Sequence, residues 1–174
     1  MAKLPDTLKW SKRKGVRKQF ELSSGDEKLG TLVWQKTFGS LARAETPEGT
    51  WTFKRSGFIR PRVTVRLPDS DRDVAVYIPS WMGDGALQFE TGERFTWNKQ
   101  GFWKPIWSFV DESSGKPVIT FSPLRGLFAK GTDVTIERAP RSKATGRLLV
   151  SLGWYLILLA EDASAIAAAG AAST

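Results

Sequence analysis

Thirteen consecutive residues without a charge, Leu148–Ala160 (LLVSLGWYLILLA), constrain this chain more than any other feature. The run is preceded by Arg141, Lys143 and Arg147 and closed by Glu161 and Asp162. A transmembrane helix needs about 20 apolar residues, and extending the run that far would carry both carboxylates into lipid at a cost of several kcal/mol. A strand of 13 residues would be long, and the run shows no period-2 alternation. What is left is a helix apolar on every side, and such a helix has to be enclosed by protein. At 1.5 Å per residue it spans about 20 Å, the height of a small barrel. Gly153 in its middle would let a barrel wall approach closely. The basic flank also resembles the border of a tail anchor, so a membrane-anchored helix is the competing expectation.

The preceding chain supplies the wall. Phe20 and Leu22 alternate with polar neighbours up to the turn Ser24-Gly25-Asp26-Glu27, and Leu29–Thr37 reads as the hairpin partner. Ser40–Glu45 follows, then turn chemistry at Thr46-Pro47-Glu48-Gly49, then Thr50–Arg55 with Trp51 and Phe53 on one face. Val63, Val65 and Leu67 alternate with Arg62, Thr64 and Arg66, and Val74, Val76 and Ile78 with Asp73, Ala75 and Tyr77. Leu87 and Phe89 pair with Phe95 and Trp97 across Gly92, and Trp103–Asp111, Val118–Ser122 and Asp133–Glu137 complete the series. About eleven short strands with no interrupting helix predict a mainly β fold, a sandwich or barrel. With the apolar segment, the expectation becomes a closed antiparallel barrel of about 11–12 strands around a central helix over residues 147–162. Residues 1–18 read as a basic arm anchored by Trp10, with Lys3, Lys9, Lys12, Arg13, Lys14, Arg17 and Lys18 against Asp6. Residues 163–174 read as an Ala-rich tail, leaving 19–162 as the barrel domain.

Composition narrows the chemistry. The 174 residues contain no His and no Cys, which excludes Cys/His zinc sites, disulfides, Cys nucleophiles and imidazole bases. An enzyme would have to work through carboxylates such as Asp111-Glu112, so a non-enzymatic protein without cofactor or metal is expected. The net charge of +8 suits an anionic partner, either membrane lipid or nucleic acid, although plain solubility explains it too. Met1–Trp10 lacks the apolar core of a signal peptide, so a cytoplasmic chain, peripheral to a membrane if attached at all, is expected.

Arg60, Arg62 and Arg66 read as the same face of one strand, and Lys54 lies on the polar face of the strand before. If the strands are neighbours, these four present a basic patch to a phosphorylated headgroup or a nucleic-acid backbone. Equally, they fit the wet face of a barrel wall. Asp69-Ser70-Asp71-Arg72-Asp73 looks like a calcium loop, but a loop of that type needs Gly sixth and Glu twelfth, where Val74 and Ser80 stand, so a solvated hairpin tip is expected. Trp51, Phe53, Phe89, Phe95 and Trp97 are assigned to the core, and Trp103 and Trp107 to an exposed pair.

Phe20-Glu21-Leu22, Leu29-Gly30-Thr31-Leu32 with Trp34, and the stretch Gly49–Phe58 (GTWTFKRSGF) resemble the opening half of the tubby-like C-terminal superfamily. That superfamily includes the LURP-one-related proteins and the phospholipid scramblases. Gly146-Arg147-Leu148-Leu149 resembles its ending, so the likeness spans residues 19 to 162. It implies a closed, roughly twelve-stranded barrel threaded by a C-terminal helix, and an anionic phospholipid or phosphoinositide partner. The calcium-binding segment of scramblases is not recognisable here. Taken together, the expected function is a binding module for anionic lipid headgroups through Lys54, Arg60, Arg62 and Arg66; a nucleic-acid binder using the arm and the same patch, or an interaction protein without ligand, are the alternatives.

Overall fold

A computed structural model describes residues 4–124 and 130–173; Lys3 of the predicted arm and Thr174 of the predicted tail lie outside them. Twelve strands precede one helix: β1 (Thr7–Lys12), β2 (Gln19–Ser24), β3 (Glu27–Trp34), β4 (Ala42–Thr46), β5 (Gly49–Ser56), β6 (Arg62–Arg66), β7 (Asp73–Pro79), β8 (Gly85–Phe89), β9 (Arg94–Gln100), β10 (Ile106–Asp111), β11 (Lys116–Pro123), β12 (Gly131–Ile136) and α1 (Lys143–Ala172). Each strand pairs antiparallel with the next, and β1 closes the ring against β12. The predicted closed barrel with a central helix is the architecture observed.

Alternation builds the wall. In β5, Trp51 and Phe53 point inward while Lys54 points out, because successive Cβ atoms fall on opposite faces of a strand. Opposite partners share a face, so Phe53 faces inward with Val65 and Ala42. Inside, Trp97 stacks on Trp107 at 5.3 Å and packs against Phe109 and Phe121. These rings fill the space between wall and helix.

The helix is buried on every side from Gly146 to Leu158. Gly153 is required there: a Cβ would fall 2.2 Å from Cζ of Phe121. Trp10 Nε1 donates to the Val150 carbonyl at 3.2 Å, and Tyr155 Oη donates to the Ser40 carbonyl at 2.7 Å. Arg147, only 3 % exposed, is met by Glu48 at 3.0 Å. By length and composition α1 could cross a membrane, but 56 % of its most apolar stretch is enclosed by the barrel.

Four expectations are corrected. The stretch read as an arm contains β1, whose Leu8 and Trp10 point into the core while Thr7, Lys9 and Ser11 face water; its register on β12 and β2 closes the barrel. The helix spans 143–172 rather than 147–162. Ser142 caps it by accepting from the Thr145 amide at 3.0 Å, and the Ala-rich residues beyond Asp162 are strong helix formers that prolong it. Strand β7 turns Ala75 and Tyr77 inward and leaves Ile78 exposed, because its partners Val65 and Val63 already face the core. Trp107 is buried, and only Trp103 of the expected pair is exposed; β10 starts at Ile106, so the second residue of the strand points inward.

Candidate functional site

In an up-and-down barrel alternate connections must lie at the same mouth. The first mouth carries the connections 25–26, 47–48, 67–72, 90–93, 112–115 and the link 137–142 into α1. The second carries 13–18, 35–41, 57–61, 80–84, 101–105 and the described ends of the β11–β12 connection, Leu124 and Lys130. Helix α1 enters by the first mouth, where Arg147 meets Glu48. It leaves by the second, where Lys18 pairs with Asp162 at 2.8 Å.

The charges are segregated between these mouths. Among the described residues, connections at the second hold eight basic residues and one acid, Asp84, while those at the first hold eight acids and three basic residues. Much of the basic excess comes from Arg13, Lys14, Arg17 and Lys18 between β1 and β2, joined by Lys36, Arg60, Lys104 and Lys130. Two residues moderate it at the helix exit: Glu161 and Asp162. Desolvation at the crowded mouth raises the Glu161 carboxyl above its ordinary range, although Lys130 pulls the other way.

The four residues singled out in the sequence separate. Strands β5 and β6 are neighbours, with Lys54 opposite Thr64 and Ser56 opposite Arg62. Lys54, Arg62 and Arg66 therefore converge on the outer wall, around a shallow depression of about 420 Å³ that also touches Asp69, Ser70 and Asp71. Arg66 is no longer a free cation there: its Nε lies 2.5 Å from Asp73 and its Nη1 3.7 Å from Asp71. The D-x-D-x-D segment is the β6–β7 turn that supplies these acids. Arg60 lies off the strand, in the loop before β6, at the basic mouth. Lys54, Arg60 and Arg62 take part in no ion pair among the described residues.

A larger cleft of about 860 Å³ opens at the acidic mouth, over Phe95 and Val118, between Glu93, Glu112, Arg138 and Arg141. Asp111 on its rim is held by the tip of its own hairpin: it accepts from Ser113 and Ser114, and the Ser113 hydrogen bonds keep its carboxyl below the usual range. Glu93 is 3.8 Å from Arg141. Among the described residues no group of His, Cys, Asp or Glu is placed to hold a metal ion.

Sequence reading missed the loops of the basic mouth. Two share one pattern, Gly57-Phe58-Ile59-Arg60-Pro61 and Gly101-Phe102-Trp103-Lys104-Pro105, glycine then two large apolar residues, a cation and proline. In both the glycine has a positive φ, +86° and +81°, a conformation that disfavours side chains. In both, the nearest atom to an added Cβ is the carbonyl oxygen three residues on, so the two turns have the same shape. The repeat is present in the sequence, but Trp103–Asp111 reads there as one strand, which hides the second loop.

No family model, curated protein or solved structure matches this chain.

Proposed function

We propose that the protein is a non-enzymatic module that binds anionic membrane lipid, a phospholipid or phosphoinositide headgroup, and that it is a divergent member of the tubby-like superfamily. The barrel threaded by a C-terminal helix supports the kinship. The observation that carries the function is the charge segregation: among the described residues, the connections of one mouth hold eight basic residues and one acid, with Glu161 and Asp162 beside them at the helix exit. A surface of that sign concentrates at a negatively charged bilayer, each nearby Lys or Arg contributing about 1 kcal/mol at low ionic strength. Arg60 lies at that mouth and is, of the four residues singled out in the sequence, the headgroup contact we favour; Lys54 and Arg62, on the wall beside it, are peripheral contacts. Arg66 is committed to Asp73 and drops to a supporting role.

Pelleting with vesicles of phosphatidylcholine alone, and of phosphatidylcholine with phosphatidylserine or a phosphoinositide, tests the reading beside a filter assay with single-stranded DNA and RNA. Binding confined to the anionic vesicles and weakening with salt is the expected result. Retention of nucleic acid with no vesicle binding would replace it by the nucleic-acid reading, and silence in both assays by an interaction protein without ligand.

A further inference from the structure

Large apolar side chains that a soluble surface would normally cover are exposed on this barrel, and their placement is one-sided. Phe38, Phe58, Ile59, Trp81, Phe102 and Trp103 are each at least 79 % exposed, and Met82 is 73 % exposed. All seven belong to connections at the basic mouth: 35–41, 57–61, 80–84 and 101–105. At the acidic mouth the large exposed apolar side chain is Leu67, at 48 %. The eight tryptophans divide the same way. Six are buried, at Trp10, Trp34, Trp51, Trp97, Trp107 and Trp154, and the two exposed ones sit at this mouth.

We propose that the basic mouth inserts its loop tips into the interfacial region of an anionic bilayer, Phe58, Ile59, Trp81, Met82, Phe102 and Trp103 entering the acyl boundary while Arg60 and Lys104 remain at the headgroups. This rests on the anionic-lipid reading above and gives it a docking surface and an orientation. Three observations select a bilayer over other occupants. In two of the loops, 57–61 and 101–105, a cation directly follows two large apolar residues, the arrangement that lets rings enter the interface while charge stays at phosphate. Aliphatic Ile59 and Met82 stand among the rings; they offer no π-face to a nucleic-acid base and suit hydrocarbon. A second copy docking mouth to mouth would bring two basic surfaces together. The helix adds to the surface from its centre: residues 163–172 are uncharged, and all are exposed beyond the helix exit, with Ile166 74 % exposed. They rise about 15 Å, close to half of a hydrocarbon core of about 30 Å.

The rigid turns hold the tips out. Gly57, Gly83 and Gly101 each have a positive φ in one of the three loops, so the projecting side chains are presented by tight turns rather than by loose chain.

The test uses the full chain and vesicles of phosphatidylcholine with phosphatidylserine, part of the phosphatidylcholine carrying brominated acyl chains. Bromine quenches only indoles that reach the acyl region, and the buried six lie within the barrel. Quenching of the unaltered chain, abolished in Trp81→Phe/Trp103→Phe while pelleting is retained, is the expected result. Stripping one loop at a time (Phe58→Ser/Ile59→Ser, Trp81→Ser/Met82→Ser, Phe102→Ser/Trp103→Ser) should weaken vesicle binding about tenfold each, with circular dichroism unchanged because these side chains are exposed. Anionic vesicles that bind the chain without quenching, and bind the stripped variants as well as the original, would overturn insertion and leave headgroup binding standing. No binding to anionic vesicles at all would overturn both.

Discussion

The acidic and the basic mouth are made by one meander, the basic one from longer connections, and they differ in almost every surface property. The acidic mouth is closed chemically. Half of its eight acids are engaged in ion pairs: Glu48 with Arg147, Asp71 with Arg66, Glu90 with Arg72 and Glu93 with Arg141. The basic mouth holds Lys14, Arg17, Lys36, Arg60 and Lys104 outside any ion pair among the described residues, and rings without cover. Strand alternation dictates which wall residues face the core, but it imposes nothing on connections. A bias of charge and exposure confined to one set of connections is therefore a property the fold does not require, and a partner is the economical reason for it.

The contrast depends on α1 passing fully through the barrel, and that passage is the first thing to break. Gly153→Val drives a branched side chain into Phe121 and should cost about 3 kcal/mol or more, lowering the melting temperature by roughly 10 °C. Gly170→Ala, on the same helix beyond the basic mouth, meets nothing within 4 Å and should leave stability unchanged or raise it by a few tenths of a kcal/mol. Next comes the acidic-mouth anchor. Glu48→Gln strands the buried Arg147 guanidinium and should cost about 3 kcal/mol by urea unfolding, the low end for a broken buried pair because Glu48 keeps some contact with water.

Tyr155 provides a pH test of the anchor at the other mouth. Burial outweighs its hydrogen bond to Ser40 and pushes the phenol from 10.0 up to about 12. The folded chain thus keeps a proton that the unfolded chain loses. The contribution is fully present below pH 10 and disappears as the pH rises through 12, a loss of about 2.5 kcal/mol. Tyr155→Phe should remove that part of the alkaline decline in a pH series of unfolding curves; the share of Tyr77, raised in the same direction by burial and by Asp84, remains.

The smallest effect concerns the charges themselves. Lys14→Gln/Arg60→Gln/Lys104→Gln should weaken binding to anionic vesicles roughly thirtyfold at low salt. Lys54→Gln/Arg62→Gln, on the wall, should weaken it only about twofold, and Glu90→Gln/Glu112→Gln at the acidic mouth not at all. Equal losses from wall and mouth would return the headgroup site to the β5–β6 face.

Most of the scaffold could be read from the chain because alternation is a strong signal where rings are involved. Trp51 and Phe53, or Phe95 and Trp97, declare both a strand and its inner face. The uncharged run at 148–160 declared the plug. What escaped reading did so for physical reasons. In β1 only Leu8 and Trp10 face inward, and the surrounding lysines mask a two-residue apolar signal. In β7 the inner face is the less apolar one, set by the register with Val63 and Val65 rather than by its own composition. Arg60 reads as part of the Arg62 strand by parity alone, but Pro61 between them cannot donate to a ladder and the strand starts at Arg62. The mouth loops went unread because apolar tips next to strands look like strand ends; only the ring closure shows that they gather on one side.

The absence of cysteine from the chain allows a direct measurement of orientation. A single cysteine at Thr37 in the basic mouth, or at Ser114 in the acidic mouth, can carry an environment-sensitive dye with no competing thiol. With anionic vesicles the dye at position 37 should shift to the blue and become protected from a soluble quencher, while the dye at 114 stays unchanged. Equal responses at the two positions, or a response at 114 alone, would contradict the polarity of the barrel as the basis of its binding.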